Sequence, residues 1–171
     1  YIDGPGGMWC NNIGHGNKEI AEAVKNQIEK LDYCSPFSES NEISAELASV
    51  LSELSPGDLN TVFFTPDGSS ANETALRFVM LYNNLLGRPE KKHIISRDRA
   101  YHGSTYLTAS ISGKDREKNS FDFEKNFIHH LGSPNPYRRK DHQTAEDFCD
   151  EKVKEFENKI LEIGSDKVAA Y

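Results

Sequence analysis

The run Thr61-Val62-Phe63-Phe64-Thr65 constrains this chain more than any other stretch. It is β-branched or aromatic throughout, with no alternation of polar and apolar residues. Such a run is expected to form a strand buried on both faces, and strands of that kind belong to parallel sheets covered by helices on either side. The turn residues Pro66-Asp67-Gly68-Ser69 follow, and then Ser70-Ala71-Asn72-Glu73 matches the S-x-x-E capping box that opens a helix. That helix is expected to carry Ala75, Leu76, Val79 and Met80 inward and to stop near Gly87, with Pro89 just beyond.

The rest of the chain supports the same class. Asn17 can cap a helix running to Leu31, on which Ile20, Val24, Ile28 and Leu31 share a face. A second helix is predicted from Asn41 to Leu54, with Ile43, Leu47, Val50, Leu51 and Leu54 on one side, broken by Ser55-Pro56-Gly57-Asp58. Residues 1–16 read as strands and glycine turns, and 32–40 as irregular. His93-Ile94-Ile95-Ser96 reads as a strand, followed by a small helical turn through residues 104–111. Residues 113–142 read as a long polar excursion, with His129-His130 on the surface. Thr144 and Asp147 open a last helix, and Val168–Tyr171 reads as the start of a buried strand. Strands alternating with helices imply an α/β fold with a mainly parallel sheet. In such sheets ligands sit outside the carboxyl ends of the strands. The loops at Gly68 and Tyr101 are both expected to leave strands at that edge.

Composition removes several function classes. Twenty basic against 27 acidic residues give a net charge of −7, the wrong sign for a nucleic-acid binder. Cys10, Cys34 and Cys149 are odd in number and widely spaced, which speaks against a disulfide framework or zinc site and for reduced thiols in the cytoplasm. No apolar run is long enough for a membrane span, and no signal peptide is visible. The chain has no initiating Met and closes on an apolar run, so the natural polypeptide is expected to continue past both ends. A strand cut at Tyr171 would leave an unpaired sheet edge.

Three constellations are candidates for chemistry. Gly68 lets the backbone approach a ligand closely, and the N–H groups of the helix it precedes favour a phosphate, with the Ser69 and Ser70 hydroxyls adding donors. An ordinary capped helix reads equally well, and Asp67 would repel a phosphate unless its carboxylate points away. Tyr101-His102-Gly103 offers a ring that can lie on an aromatic ligand and an imidazole for acid–base work, or simply a packed pair. Trp9, among glycine turns, either lines a pocket or fills a core. Adjacent His129 and His130 do not converge on one metal, and no metal site is expected.

In order and at these spacings, the segments Asp3–Gly16, Gly68–Ala75, Tyr101–Thr105 and Val168–Tyr171 resemble those of class III aminotransferases of the ω-transaminase type. The resemblance covers nearly the whole chain. It implies a pyridoxal 5′-phosphate (PLP) enzyme of fold type I that moves an amino group from an amine or amino acid to a keto acid such as pyruvate. Residues 1–40 would then be an N-terminal segment, part of a small domain and linker, and 41–171 the first part of a truncated PLP-binding large domain. The resemblance further implies that Gly68, Ser69 and Ser70 bind the cofactor phosphate. Tyr101 would stack on its ring beside His102, and Trp9, Tyr33 and Phe37 would line the substrate pocket of a homodimer. Relatives carry a small polar residue at position 67 and an acid at position 70, so the acid has moved along the loop here. The Schiff-base lysine is expected downstream of Tyr171, which leaves no catalytic residue in this chain. Other PLP chemistry on the same fold, such as isomerisation or decarboxylation, and a non-catalytic dimerising relative are the alternatives, with Asp67 the sole hint of the latter.

Overall fold

A computed structural model describes residues 1–114 and 120–171. The chain divides into two compact units, Tyr1–Phe63 and Phe64–Tyr171.

The first unit is helical. Residues 1–16 form no strand; instead Gly6–Trp9 is a four-residue turn, α1, wound left-handed, with Gly6, Gly7, Met8 and Trp9 at φ 57°, 57°, 64° and 67°. Two glycines enter this region freely, whereas Met8 and Trp9 pay a steric cost of about 1–2 kcal/mol each. The turn holds because the Gly7 N–H donates to Asp3 Oδ2 at 2.8 Å and the Trp9 N–H to the Pro5 carbonyl at 2.8 Å. Helix α2 (Lys18–Lys30) begins where Asn17 Oδ1 accepts from the Ile20 N–H, and α3 (Glu42–Leu54) where Asn41 Oδ1 accepts from Ser44. A 2.7 Å ion pair joins Lys30, at the end of α2, to Glu42, at the start of α3. Neither helix buries a residue within this unit, and the apolar stripes predicted from spacing lie open.

The second unit holds the sheet. Helix α4 (Gly68–Leu85) leads to strand β1 (His93–Arg97), the short helix α5 (Tyr106–Ile111), strand β2 (Ile128–Leu131), helix α6 (Ala145–Ile163) and strand β3 (Val168–Ala170). The strands are parallel in the order β2-β1-β3. Ile94 lies opposite Ile128 and Arg97 opposite Leu131, while the β1–β3 register is irregular between His93 and Ile94. The pleat sends alternate residues to opposite faces. Ile94 packs with Leu76 of α4, Ile111 of α5 and Ile128 in the core cluster, and Ser96 Oγ, on the same face, donates to the Ile111 carbonyl at 2.6 Å. On the other face Arg97 lies over the Phe156 ring of α6. Helix α6 opens with a reciprocal Thr144–Asp147 capping box, as the sequence indicates.

Four further expectations change. Residues 61–65 belong to no strand, and Thr61, Phe63 and Phe64 are exposed. A strand exists only by pairing with a neighbour, and in the described sheet β2 and β3 each pair with β1. The predicted surface excursion 113–142 contains β2, whose Ile128 and Leu131 are buried. His129 and His130 therefore stand in the sheet, half-buried, with His129 Nε2 2.8 Å from His93 Nδ1. Finally, α4 begins at Gly68 rather than Ser70, because Asp67 is its cap.

Candidate functional site

The two loops singled out by sequence meet at the start of α4. The Asp67 carboxylate accepts from the Ser70 N–H at 2.9 Å and from Ser70 Oγ at 2.8 Å. These two bonds, the backbone one first, hold its carboxyl below the usual carboxylate range. Here the acid caps the helix and the serine three positions later answers it. The Asp67 charge is folded back onto its own helix, and Ser70 spends its hydrogen there.

Ser69 is placed differently. Its Oγ accepts from the Ser104 N–H at 3.1 Å, which leaves its own hydrogen available to donate. A Cβ added at Gly68 would meet nothing within 4 Å, so the backbone there is open to a ligand. Gly103 is the reverse case. It is buried with φ +135°, and a Cβ would stand 2.5 Å from Thr108 Oγ1 and 2.8 Å from Ser69 Oγ. Only glycine allows the loop to press this closely against α4.

Tyr101 follows β1 at the carboxyl edge, as expected for a ligand-facing loop. The residue is 54% exposed, its hydroxyl is 2.8 Å from Ser104 Oγ, and the Lys114 ammonium lies 4.3 Å from the ring centroid. His102 is held by its backbone: its N–H donates to Ser112 Oγ and its carbonyl accepts from Asn72 Nδ2, both at 2.8 Å. A cleft of about 210 Å³, mostly apolar, runs along α4 and the sheet, with Asn72, Ser96 and His102 among its polar walls and Tyr171 at its side. Gly68, Ser69, Ser70, Tyr101 and His102 are therefore brought together in the second unit. Trp9, Tyr33 and Phe37 lie in the first unit, at 78%, 73% and 99% exposure, and make no common site within it.

Sequence reading missed Asn72, Glu73, Ser104, Ser112 and Lys114. Glu73 looked like half of a capping box, but its Oε2 instead accepts from Thr105 Oγ1 at 2.5 Å, across to the Tyr101 loop. The helix spacing of 69, 72 and 73 was the available signal for a shared face. Among the described residues, no group of His, Cys, Asp and Glu could hold a metal ion.

A strand-end loop carrying an exposed tyrosine, clasped to an anion-ready helix start, is the architecture of a cofactor-binding α/β enzyme. The profile of the family "Aminotransferase class-III" matches residues 1–171, and the chain belongs to that family. Diaminobutyrate–2-oxoglutarate transaminase of Halomonas elongata is 38% identical over the whole chain, which spans 37% of that protein's length. Gamma-aminobutyrate transaminase 1 of Oryza sativa subsp. indica is 35% identical, again over the whole chain and 34% of its own length. Among solved structures, the omega transaminase from Pseudomonas jessenii in complex with PMP superposes with a TM-score of 0.95 at 36% identity, covering 98% of this chain and 38% of that one. The fold is therefore that of the fold type I transaminases. The chain spans a little over a third of the length of the relatives it matches.

Proposed function

We propose that the whole protein is a PLP-dependent aminotransferase that passes an amino group from an amine or amino acid to a keto acid such as pyruvate. The observation that carries this is the clasp between Ser69 Oγ and the Ser104 N–H, which sets an open helix start beside the Tyr101 ring in a chain of this family. The residues present fit PLP. Gly68 offers unobstructed backbone and Ser69 a hydroxyl hydrogen at the positive end of an 18-residue helix, suited to a phosphate. Tyr101 offers an aromatic face for the ring. Ser70 contributes indirectly, by tying the Asp67 carboxylate into two hydrogen bonds. His102 presents a half-exposed imidazole at the same edge.

When bound, PLP supplies the electron sink for amino-group transfer. This chain's residues anchor and orient it, and the lysine that moves protons during the reaction lies beyond Tyr171. Residues 41–171 form the first part of the large domain and 1–40 an N-terminal segment, whose Trp9, Tyr33 and Phe37 serve substrate binding. The protein works as a homodimer in the cytoplasm. The open apolar stripes of α2 and α3 support an assembly partner, and the three free thiols suit a reducing compartment. Asp67 no longer favours a non-catalytic relative, since capping accounts for it.

The test is borohydride reduction of the full-length protein with PLP, followed by mass spectrometry of its peptides. A phosphopyridoxyl group on a single lysine downstream of Tyr171 is expected. A folded protein that traps no lysine would overturn the reading.

A further inference from the structure

Ser69, Asn72 and Glu73 stand at i, i+3 and i+4 on α4, which places them on one face of the helix. Each takes hold of a successive part of the loop that begins at Tyr101. Asn72 Nδ2 donates to the His102 carbonyl at 2.8 Å, Ser69 Oγ accepts from the Ser104 N–H at 3.1 Å, and Glu73 Oε2 accepts from Thr105 Oγ1 at 2.5 Å. Because the Thr105 hydrogen goes to Glu73, the 2.6 Å contact between Thr105 Oγ1 and Thr108 Oγ1 has Thr108 as donor. The Thr105 N–H closes the set by donating to Thr108 Oγ1 at 3.0 Å. Gly103 sits between these attachments with no room for a Cβ.

We infer that Asn72 and Glu73 are positioning residues for the cofactor site, fixing the distance between the open start of α4 and the Tyr101 ring. This rests on the functional reading above, because the two ends they couple are the phosphate end and the ring end of one ligand. The geometry suits that task more than bulk stability. The attachments run between a helix start and a strand-end loop at the ligand edge, and Asn72 itself is exposed. A charge-assisted bond such as Glu73–Thr105 also resists the loop's drift more strongly than a neutral one. Removing it leaves Tyr101 and Ser69 intact but free to move relative to each other.

The experiment uses full-length protein, wild type and the variants Glu73→Ala, Glu73→Gln, Thr105→Val, Asn72→Ala and Glu73→Ala/Thr105→Val. Three quantities are read: PLP affinity by titration of the apoprotein, the induced circular dichroism of the bound cofactor, and the melting temperature without cofactor. The expected result is a PLP Kd about tenfold weaker in Glu73→Ala, the scale of one hydrogen bond to a charged group. The induced dichroism should fall while the apoprotein Tm stays near wild type. Glu73→Gln, which keeps an acceptor for Thr105, should recover part of the affinity, and the double variant should be no worse than the weaker single. Wild-type Kd and dichroism in a folded Glu73→Ala, or failure of every variant to fold, overturns the positioning role. If wild type itself binds no PLP, the functional reading falls as well, so the two failures are distinguishable.

Discussion

At the scale of single residues, Asp67 carries the main lesson. From residue type alone it stood as an obstacle to a phosphate, because sequence does not show where a carboxylate points. The structure turns it back onto Ser70, with a carboxyl held below the usual range by the Ser70 N–H first and the Ser70 hydroxyl second. A carboxyl depressed on folding contributes stability that is present above its unfolded value, about 3.9, and is lost as pH falls through the folded one. Asparagine also caps helices but does not titrate. Full-length Asp67→Asn should therefore melt slightly below wild type at neutral pH, and the gap should close as pH falls below about 3.9 toward the folded value. A gap independent of pH in thermal melts would contradict this. Gly103→Ala tests the close approach directly. The new methyl would stand within 3 Å of both Thr108 and Ser69, at a backbone angle alanine disfavours. It should weaken PLP binding by at least about tenfold, a cost of roughly 1.4 kcal/mol, read by titration. Unchanged affinity would mean the clasp is looser than its geometry implies.

At the scale of elements, helices were more legible than strands. Asn17, Asn41 and Thr144 each cap the helix that spacing predicted, because a cap and a period of 3.6 are local properties. Strands depend on partners that local sequence does not name. Thr61–Thr65 has strand composition without a place in the described sheet, and Ile128–Leu131 is a strand hidden by two histidines and polar flanks. Those histidines make a prediction of their own. Burial chiefly lowers the His129 pKa, helped by His93 beside it and by Lys159 and His130, while Glu162 opposes them. A histidine depressed on folding leaves the unfolded chain binding more protons, so stability falls as pH drops below about 6.5 toward the folded value. His129→Phe keeps a ring against His93 but cannot titrate, so its Tm should fall less than wild type's between pH 7 and pH 5. The same slope in both proteins would remove His129 as the cause. In the core, Leu76 is 7% exposed and joins α4 to Ile94, Ile111 and Ile128. Leu76→Ala should cost about 2–5 kcal/mol by chemical denaturation, the range for a buried leucine with a residual cavity.

At the scale of the whole molecule, the site and its surroundings differ in completeness. The half of the site that the motifs described is closed within residues 64–171, down to hydrogen bonds across the loop. Burial is not. Ile20, Val24, Ile28, Leu47, Val50 and Leu54 are each at least 46% exposed, on helix faces whose spacing marks them for packing. Within the described residues β3 pairs only with β1. Exposed apolar stripes and a free parallel edge are both sites of association. A polypeptide of residues 1–171 alone should therefore bind a hydrophobic dye strongly and self-associate in a concentration-dependent way. It should also fail to transaminate; among the described residues, the Lys114 ammonium sits against the face of the Tyr101 ring. Light scattering, dye fluorescence and an amine-donor assay on the purified segment measure all three. A monodisperse, dye-silent segment would show that the stripes are tolerated by solvent, which would remove the structural support for an assembly partner. Turnover by a verified pure segment would place the reactive lysine among the residues present, and Lys114 would be the first to replace.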